Sequence, residues 1–308
     1  MTTVPRIAVI GSGAIGSFYG GKLAYGGCDV HFLLRNGFDE IKRCGIRVRG
    51  KKENFHVTEV QGYKTSDTMG PCDLVLIALK ATDNDALLTL IPPLLHRQTM
   101  LLTLQNGLGN EEFLAQHFGA ERVIGGLCFI CLHRVSPGLI EHFDYGHVVI
   151  GEFAGEAKSR THDLAREFTD CEIVCRVADD LMQERWCKLV WNIPFNGLTI
   201  AAGGITTEDI LRDPGLRSAA LGLMNEVIEA AKNCGHTLPR DVALEQMQRT
   251  QTMGAYKPST LLDFEAGRAL EVEAIWGEAL RRAQARGTPM PRLEQLYALL
   301  KSLNDHRE

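Results

Sequence analysis

The chain has 308 residues, of which 45% are hydrophobic and 23% charged; that is long for one compact core, comfortable for two, and leaves little room for extended disorder. A net charge of -5 excludes a general binder of nucleic acid or membrane surface. No apolar run reaches the length of a membrane span, and the first apolar stretch reads as a strand rather than a signal peptide, so the expectation is a cytoplasmic protein whose partner is a small molecule.

The first apolar run, residues 7–10, leads directly into Gly11-Ser12-Gly13-Ala14-Ile15-Gly16, and a helix-compatible segment follows over 17–24. Strand, glycine turn and helix in that order form the Rossmann fingerprint. The first glycine permits the tight turn, the second lets backbone approach a pyrophosphate, and the third lets helix pack on strand. Unpaired N–H groups at the helix start face the phosphates. Gly20 and Gly21 extend the close helix–strand contact.

A second strand over 29–34 ends at Arg35. A cofactor without a 2′-phosphate usually meets an acidic side chain about 20 residues past the glycine loop, whereas an arginine there accommodates that phosphate. NADPH is therefore expected over NADH. Residues 45–49 and 54–60 read as a surface hairpin-like insertion of unknown role. A buried strand over 73–79 ends at Lys80, a helix is expected over 83–91 up to Pro92-Pro93, and a strand over 99–104 runs into Gln105-Asn106-Gly107, with Asn110 as the cap of a short helix. Gly11, Arg35, Lys80 and Asn106 thus each stand just beyond the carboxyl end of an expected strand, the edge at which doubly wound sheets bind ligands.

Further strands are expected over 122–124, 128–135, 139–143, 147–150 and 172–177, with a helix over 161–169. From Asp179 the pattern is helical to the end, which places a boundary between residues 1–178 and 179–308. Helices are expected from Asp213-Pro214 to about Cys234, where Gly235 stops the chain, and over 240–250, 259–267, 271–286 and 291–303. The nine cysteines are scattered without the framework of a disulfide-rich domain and read as reduced thiols. Cys128 and Cys131 stand three apart in an expected strand and so face opposite ways. Cys171 and Cys175 flank an apolar run, and no metal site is expected.

The helix that begins near Asp179 carries Lys188, Asn192 and Asn196 at intervals of four, within an arc of about 80°. Trp186, Leu189, Val190, Trp191, Ile193 and Phe195 surround them. A lysine and two carboxamides in so apolar a helix need polar partners, and a ligand carbonyl and hydroxyl would serve.

These motifs, with Leu79-Lys80, Gln105-Asn106-Gly107, and Ser259 followed by Asp263 and Glu271, resemble the ketopantoate reductase (2-dehydropantoate 2-reductase) family over essentially the whole chain. The resemblance implies an α/β fold: an N-terminal Rossmann-type doubly wound sheet, an all-α C-terminal domain like that of 6-phosphogluconate dehydrogenases, and a cleft between them. It implies that NADPH reduces 2-dehydropantoate to (R)-pantoate in pantothenate biosynthesis. Residue by residue, it implies Lys188 as proton donor and Glu271 as a cofactor-side, lysine-orienting carboxylate. Asn192, Asn196 and Ser259 would be substrate contacts, Asn106 would touch the nicotinamide end, and Arg35 and Lys80 the 2′-phosphate. Thr206 departs from the family pattern, which often has an asparagine there, and Pro194 interrupts the helix; both lie on the substrate side.

The residue types agree with this chemistry, because hydride transfer to a ketone leaves negative charge on oxygen that an ammonium can stabilise and then protonate. Two other readings stay open: a reductase of another branched 2-oxo acid, and a non-catalytic NADPH-binding regulatory protein. A homodimer through the helical half is a further expectation.

Overall fold

A computed structural model describes residues 5–51 and 53–306. The chain falls into two compact units: the described residues up to Gln105 together with Asn110–Leu181, and Asn106–Gly109 together with the residues from Met182 onward. The tetrapeptide Asn106–Gly109, which the sequence groups with the first half, therefore clusters with the second unit.

The first unit is a mixed ten-stranded sheet with helices on both faces. Its strands are β1 (Arg6–Ile10), β2 (Asp29–Leu33), β3 (Ile46–Gly50), β4 (Phe55–Val57), β5 (Gln61–Tyr63), β6 (Leu74–Ile77), β7 (Met100–Thr103), β8 (Val123–Ser136), β9 (Leu139–Glu152) and β10 (Cys175–Val177). The order is β4-β3-β9-β8-β7-β6-β1-β2-β5, with β10 also on β9. From β5 to β8 all neighbours are parallel. Winding reverses at β1, whose neighbours are β2 and β6, and that switch point is where such sheets open a ligand crevice.

Alternation along β1 shows how both faces are covered. Ile7 and Val9 join one core with Phe18, Tyr19 and Leu23 of α1 (Ala14–Tyr25). Ala8 and Ile10 join the opposite core with Leu87, Leu94 and Leu114. The remaining helices of this unit are α2 (Phe38–Cys44), α3 (Leu87–Leu90), α4 (Asn110–Phe118) and α5 (Ser159–Asp170). Gly20 lets α1 lie directly on the sheet: a Cβ there would stand 2.7 Å from Val9 Cγ2.

Several expectations need correction. Residues 45–60 do form a hairpin of β3 and β4, but β3 runs parallel to β9 and the pair belongs to the main sheet. The alternation of buried Ile46, Val48, Phe55 and Val57 with Arg47, Arg49 and His56 is that of half-buried strands. In place of a helix over 83–91 stands a 3-10 segment, Ala81–Ala86, followed by the single turn α3. The Asp83-Asn84-Asp85 run competes for backbone hydrogen bonds, and Pro92-Pro93 blocks extension. The four short strands expected over 122–150 are two long ones, β8 and β9, whose antiparallel pairing survives three register shifts. Glu172 has φ 58, outside strand geometry, so β10 starts only at Cys175.

The second unit holds α6 (Leu181–Ala201), α7 (Thr207–Arg212), α8 (Pro214–Asn233), α9 (Val242–Met253), α10 (Ser259–Glu265), the π-helical turn Glu273–Gly277, α11 (Glu278–Ala285) and α12 (Pro291–Asp305). Trp186, Val190, Ile193 and Phe195 of α6 pack with Leu223 and Val227 of α8 and Leu293 and Leu300 of α12. Asp213 caps α8, its Oδ1 accepting from Leu216 N at 2.8 Å, and Pro214 takes the first helical position. Among the described residues no helix is long and apolar enough to cross a membrane.

Candidate active site

The glycine loop occupies the switch point between β1 and β6. Gly11 has φ 101, and a Cβ on it would lie 2.5 Å from Leu79 N; on Gly16 it would lie 2.1 Å from Gly11 O. Both positions therefore require glycine for internal packing. Gly13 differs, since a Cβ there would meet no protein atom within 4 Å. Its bare backbone faces open space at the start of α1, where the first-turn N–H groups lack intrahelical acceptors. The six residues Gly11, Ser12, Gly13, Ala14, Ile15 and Gly16 thus fit a dinucleotide diphosphate. Ser12 Oγ donates to Leu33 O at 2.9 Å, fixing the loop to the end of β2.

Arg35 follows β2 and is exposed. It lines a depression of about 480 Å³ together with Phe38, Asp39, Glu40 and Lys64. Lys64, which sequence reasoning missed, holds its ammonium 4.7 Å from the centre of the Phe38 ring. It lies one residue past β5, the strand beside β2, and only that pairing brings it to Arg35. Lys80 is half-buried and heads the 3-10 segment after β6.

The exit of β7 is held by a chain of amides. Thr103 Oγ1 donates to Gln105 Oε1 at 2.9 Å, Gln105 Nε2 to Asn84 Oδ1 at 2.7 Å, and Asn84 Nδ2 to Asn110 Oδ1 at 3.0 Å. Gln105 is buried, and both ends of its carboxamide are hydrogen-bonded within this unit.

In the second unit, Lys188 Nζ donates to Asn106 Oδ1 at 2.8 Å. Leu108 N donates to Ala274 O at 2.9 Å, and Gly107 packs so closely that a Cβ would stand 2.2 Å from the same carbonyl. Ala274 lies in the π-helical turn, which widens the backbone hydrogen-bonding pattern; such turns recur at functional sites. Trp276 Nε1 from that turn donates to Ile193 O on α6 at 3.0 Å. Two backbone carbonyls thus tie together the Asn106 loop, the turn that follows Glu271, and the middle of α6.

Asn192 and Asn196 are buried, at 6% and 5% exposure. Buried amides need polar partners, and these two stand one and two helical turns beyond Lys188 on α6. Glu271 is also buried, at 5% exposure. Ser259 is exposed at the start of α10. Thr206 does not project as a ligand: it is the N-cap of α7, in a capping box with Asp209.

A glycine loop suited to a dinucleotide diphosphate in the first unit and, in the second, a lysine on one helix with two buried carboxamides are features of an oxidoreductase that takes a nicotinamide cofactor and reduces a small carbonyl compound. Residues 7–155 match the model for Ketopantoate reductase PanE/ApbA, and residues 180–304 the model for its C-terminal part. The chain is 37% identical to the 2-dehydropantoate 2-reductase of Nostoc sp. over 304 residues, covering 97% of this chain and 95% of that one. The crystal structure of 2-dehydropantoate 2-reductase from Geobacter metallireducens superposes with a TM-score of 0.94 at 42% identity, covering 96% of this chain and 99% of that one. The corresponding enzyme from Methylococcus capsulatus gives 0.89 at 32% identity, covering 98% of each chain. The chain belongs to the ketopantoate reductase family.

Proposed function

We propose that this chain reduces 2-dehydropantoate to (R)-pantoate with NADPH, residues 1–178 serving as the NADP-binding domain and 179–308 as the catalytic one. The observation that carries this reading is the pair of buried carboxamides of Asn192 and Asn196 on the helix of Lys188, whose ammonium donates to Asn106. They offer donors and acceptors to a hydroxylated 2-oxo acid.

NADPH, which the Gly11–Gly16 loop, Arg35 and Lys80 would hold, would supply the hydride to the carbonyl carbon, leaving negative charge on the oxygen. Lys188 stabilises the developing alkoxide and gives it a proton, closing the hydroxyl. Asn106 holds the ammonium in place through the 2.8 Å bond, Glu271 orients it, and Ser259 closes on the substrate. Arg35 and Lys80 select NADPH over NADH by pairing with the 2′-phosphate.

A panel of branched 2-oxo acids, each with NADPH consumption as readout, tests the assignment. The highest kcat/KM is expected for 2-dehydropantoate. A higher value for another acid transfers the assignment to that substrate. Tight NADPH binding with no turnover of any 2-oxo acid would leave a regulatory protein instead.

A further inference from the structure

The glycine loop has a basic neighbour from a distant part of the chain. The turn of the β8–β9 hairpin, Pro137-Gly138, packs against the N-terminal end of α2: a Cβ on Gly37 would stand 2.1 Å from Pro137 Cβ. Ser136 Oγ donates to Glu40 Oε1 at 3.5 Å, and Arg47 N donates to Gly138 O at 2.7 Å. These contacts clamp the hairpin tip over the β2–α2 connection. Three residues before the turn, Arg134 Nη1 donates to Ser12 O at 3.5 Å.

The six loop residues contribute amides and a helix start but no charged side chain, whereas a dinucleotide diphosphate carries two negative charges. A guanidinium has five donors in a planar fork suited to phosphate oxygens, and the Ser12 carbonyl occupies only one of its nitrogens. Arg134 is exposed, so little desolvation opposes its charge at this place. We propose that Arg134 is a diphosphate-binding residue that closes the hairpin side of the cofactor loop. The assignment rests on reading Gly11 to Gly16 as a dinucleotide site. The diphosphate is its ligand, and not the 2′-phosphate, because Arg134 bonds to the phosphate loop itself while Arg35 and Lys64 line the depression beyond β2.

Direct titration of NADPH, NADH and 2′-AMP into wild type, Arg134→Ala and Arg134→Lys separates the two sources of phosphate. Arg134→Ala is expected to weaken NADPH and NADH alike, by about tenfold to a hundredfold, as loss of a charge-assisted contact requires. 2′-AMP, which has no diphosphate, should bind as before, Arg134→Lys should fall between, and the melting temperature should not move. Unchanged Kd values for both dinucleotides in Arg134→Ala would overturn the assignment. So would a loss confined to NADPH and 2′-AMP, which would place Arg134 at the 2′-phosphate. A wild-type protein that binds neither dinucleotide overturns the loop reading and the Arg134 assignment with it.

Discussion

Replacing Lys188 by methionine keeps most of the aliphatic stem and removes only the ammonium. If that ammonium protonates the forming alkoxide, kcat should fall by a factor on the order of 10²–10⁴, equivalent to roughly 2.7–5.4 kcal/mol of transition-state stabilisation. Asn106→Ala perturbs the same group differently: the charge stays and the 2.8 Å bond that holds it goes. A hydrogen bond to a charged group is worth about 1.5–3 kcal/mol, which caps the cost of misplacement at roughly tenfold to a hundredfold. The order of damage, Lys188→Met well beyond Asn106→Ala, is therefore set by the geometry. Initial rates of NADPH consumption give kcat, and fluorescence titration gives NADPH affinity, which Lys188→Met should leave nearly unchanged. A folded, NADPH-binding Lys188→Met protein with turnover near wild type would refute the assignment of the proton donor.

Arg35→Ala should raise the Kd for NADPH by about tenfold to a hundredfold while leaving NADH little changed, since the guanidinium pairs a phosphate that only NADPH carries; equal losses would remove Arg35 from the 2′-phosphate site. Gly16→Ala places a Cβ 2.1 Å from Gly11 O, so the loop must shift, and dinucleotide binding should be lost with a destabilisation of about 1–3 kcal/mol, read by titration and thermal melting. Glu152 gives a pH dependence of stability. Burial alone would raise its carboxyl, but hydrogen bonds from Arg160 and Thr161 and the charges of Arg160 and Lys158 prevail and hold it below the ordinary glutamate value. A carboxyl depressed in the folded state binds protons more readily when unfolded, so its stabilisation is complete above the unfolded value and is lost as pH falls through the folded one. Arg160→Ala should therefore shift the midpoint of acid unfolding to higher pH, and an unchanged midpoint would mean that Lys158 and Thr161 suffice.

What the sequence makes legible follows from how local the determinants are. The glycine loop is specified by residues within one turn of each other, and the structure puts it between β1 and α1 at the switch point. The buried strands over 73–79 and 99–104 were legible for a similar reason, because a continuous apolar run between turn residues has few alternatives. The hairpin of β3 and β4 was misplaced because its partner, β9, begins some ninety residues later, and no local pattern announces that pairing. Arg134 and Lys64 were invisible for the same reason: Arg134 meets the cofactor loop through a hydrogen bond to Ser12 that spans 122 positions, and Lys64 reaches its margin through the pairing of β5 with β2. The π-helical turn also escaped, since 271–286 reads as uninterrupted helix, and the extra residue per turn matters only where Leu108 N meets Ala274 O.

The one position that departs from the family pattern reads differently once its neighbours are known. Thr206 N donates to Asp209 Oδ2 at 2.9 Å, Thr206 Oγ1 donates to the same oxygen at 2.6 Å, and Asp209 N donates to Thr206 Oγ1 at 3.3 Å. The side chain is committed to capping α7. Asparagine and threonine are both favoured at that place, and either satisfies a first-turn N–H. The exchange of one for the other therefore preserves a helix start and carries no weight against 2-dehydropantoate as substrate. Thr206→Asn should leave kcat/KM and melting temperature where they are. Thr206→Ala should cost about 1 kcal/mol of stability without changing the KM for the 2-oxo acid. A large rise in that KM at an unchanged melting temperature would return residue 206 to the substrate site and reopen the choice among branched 2-oxo acids.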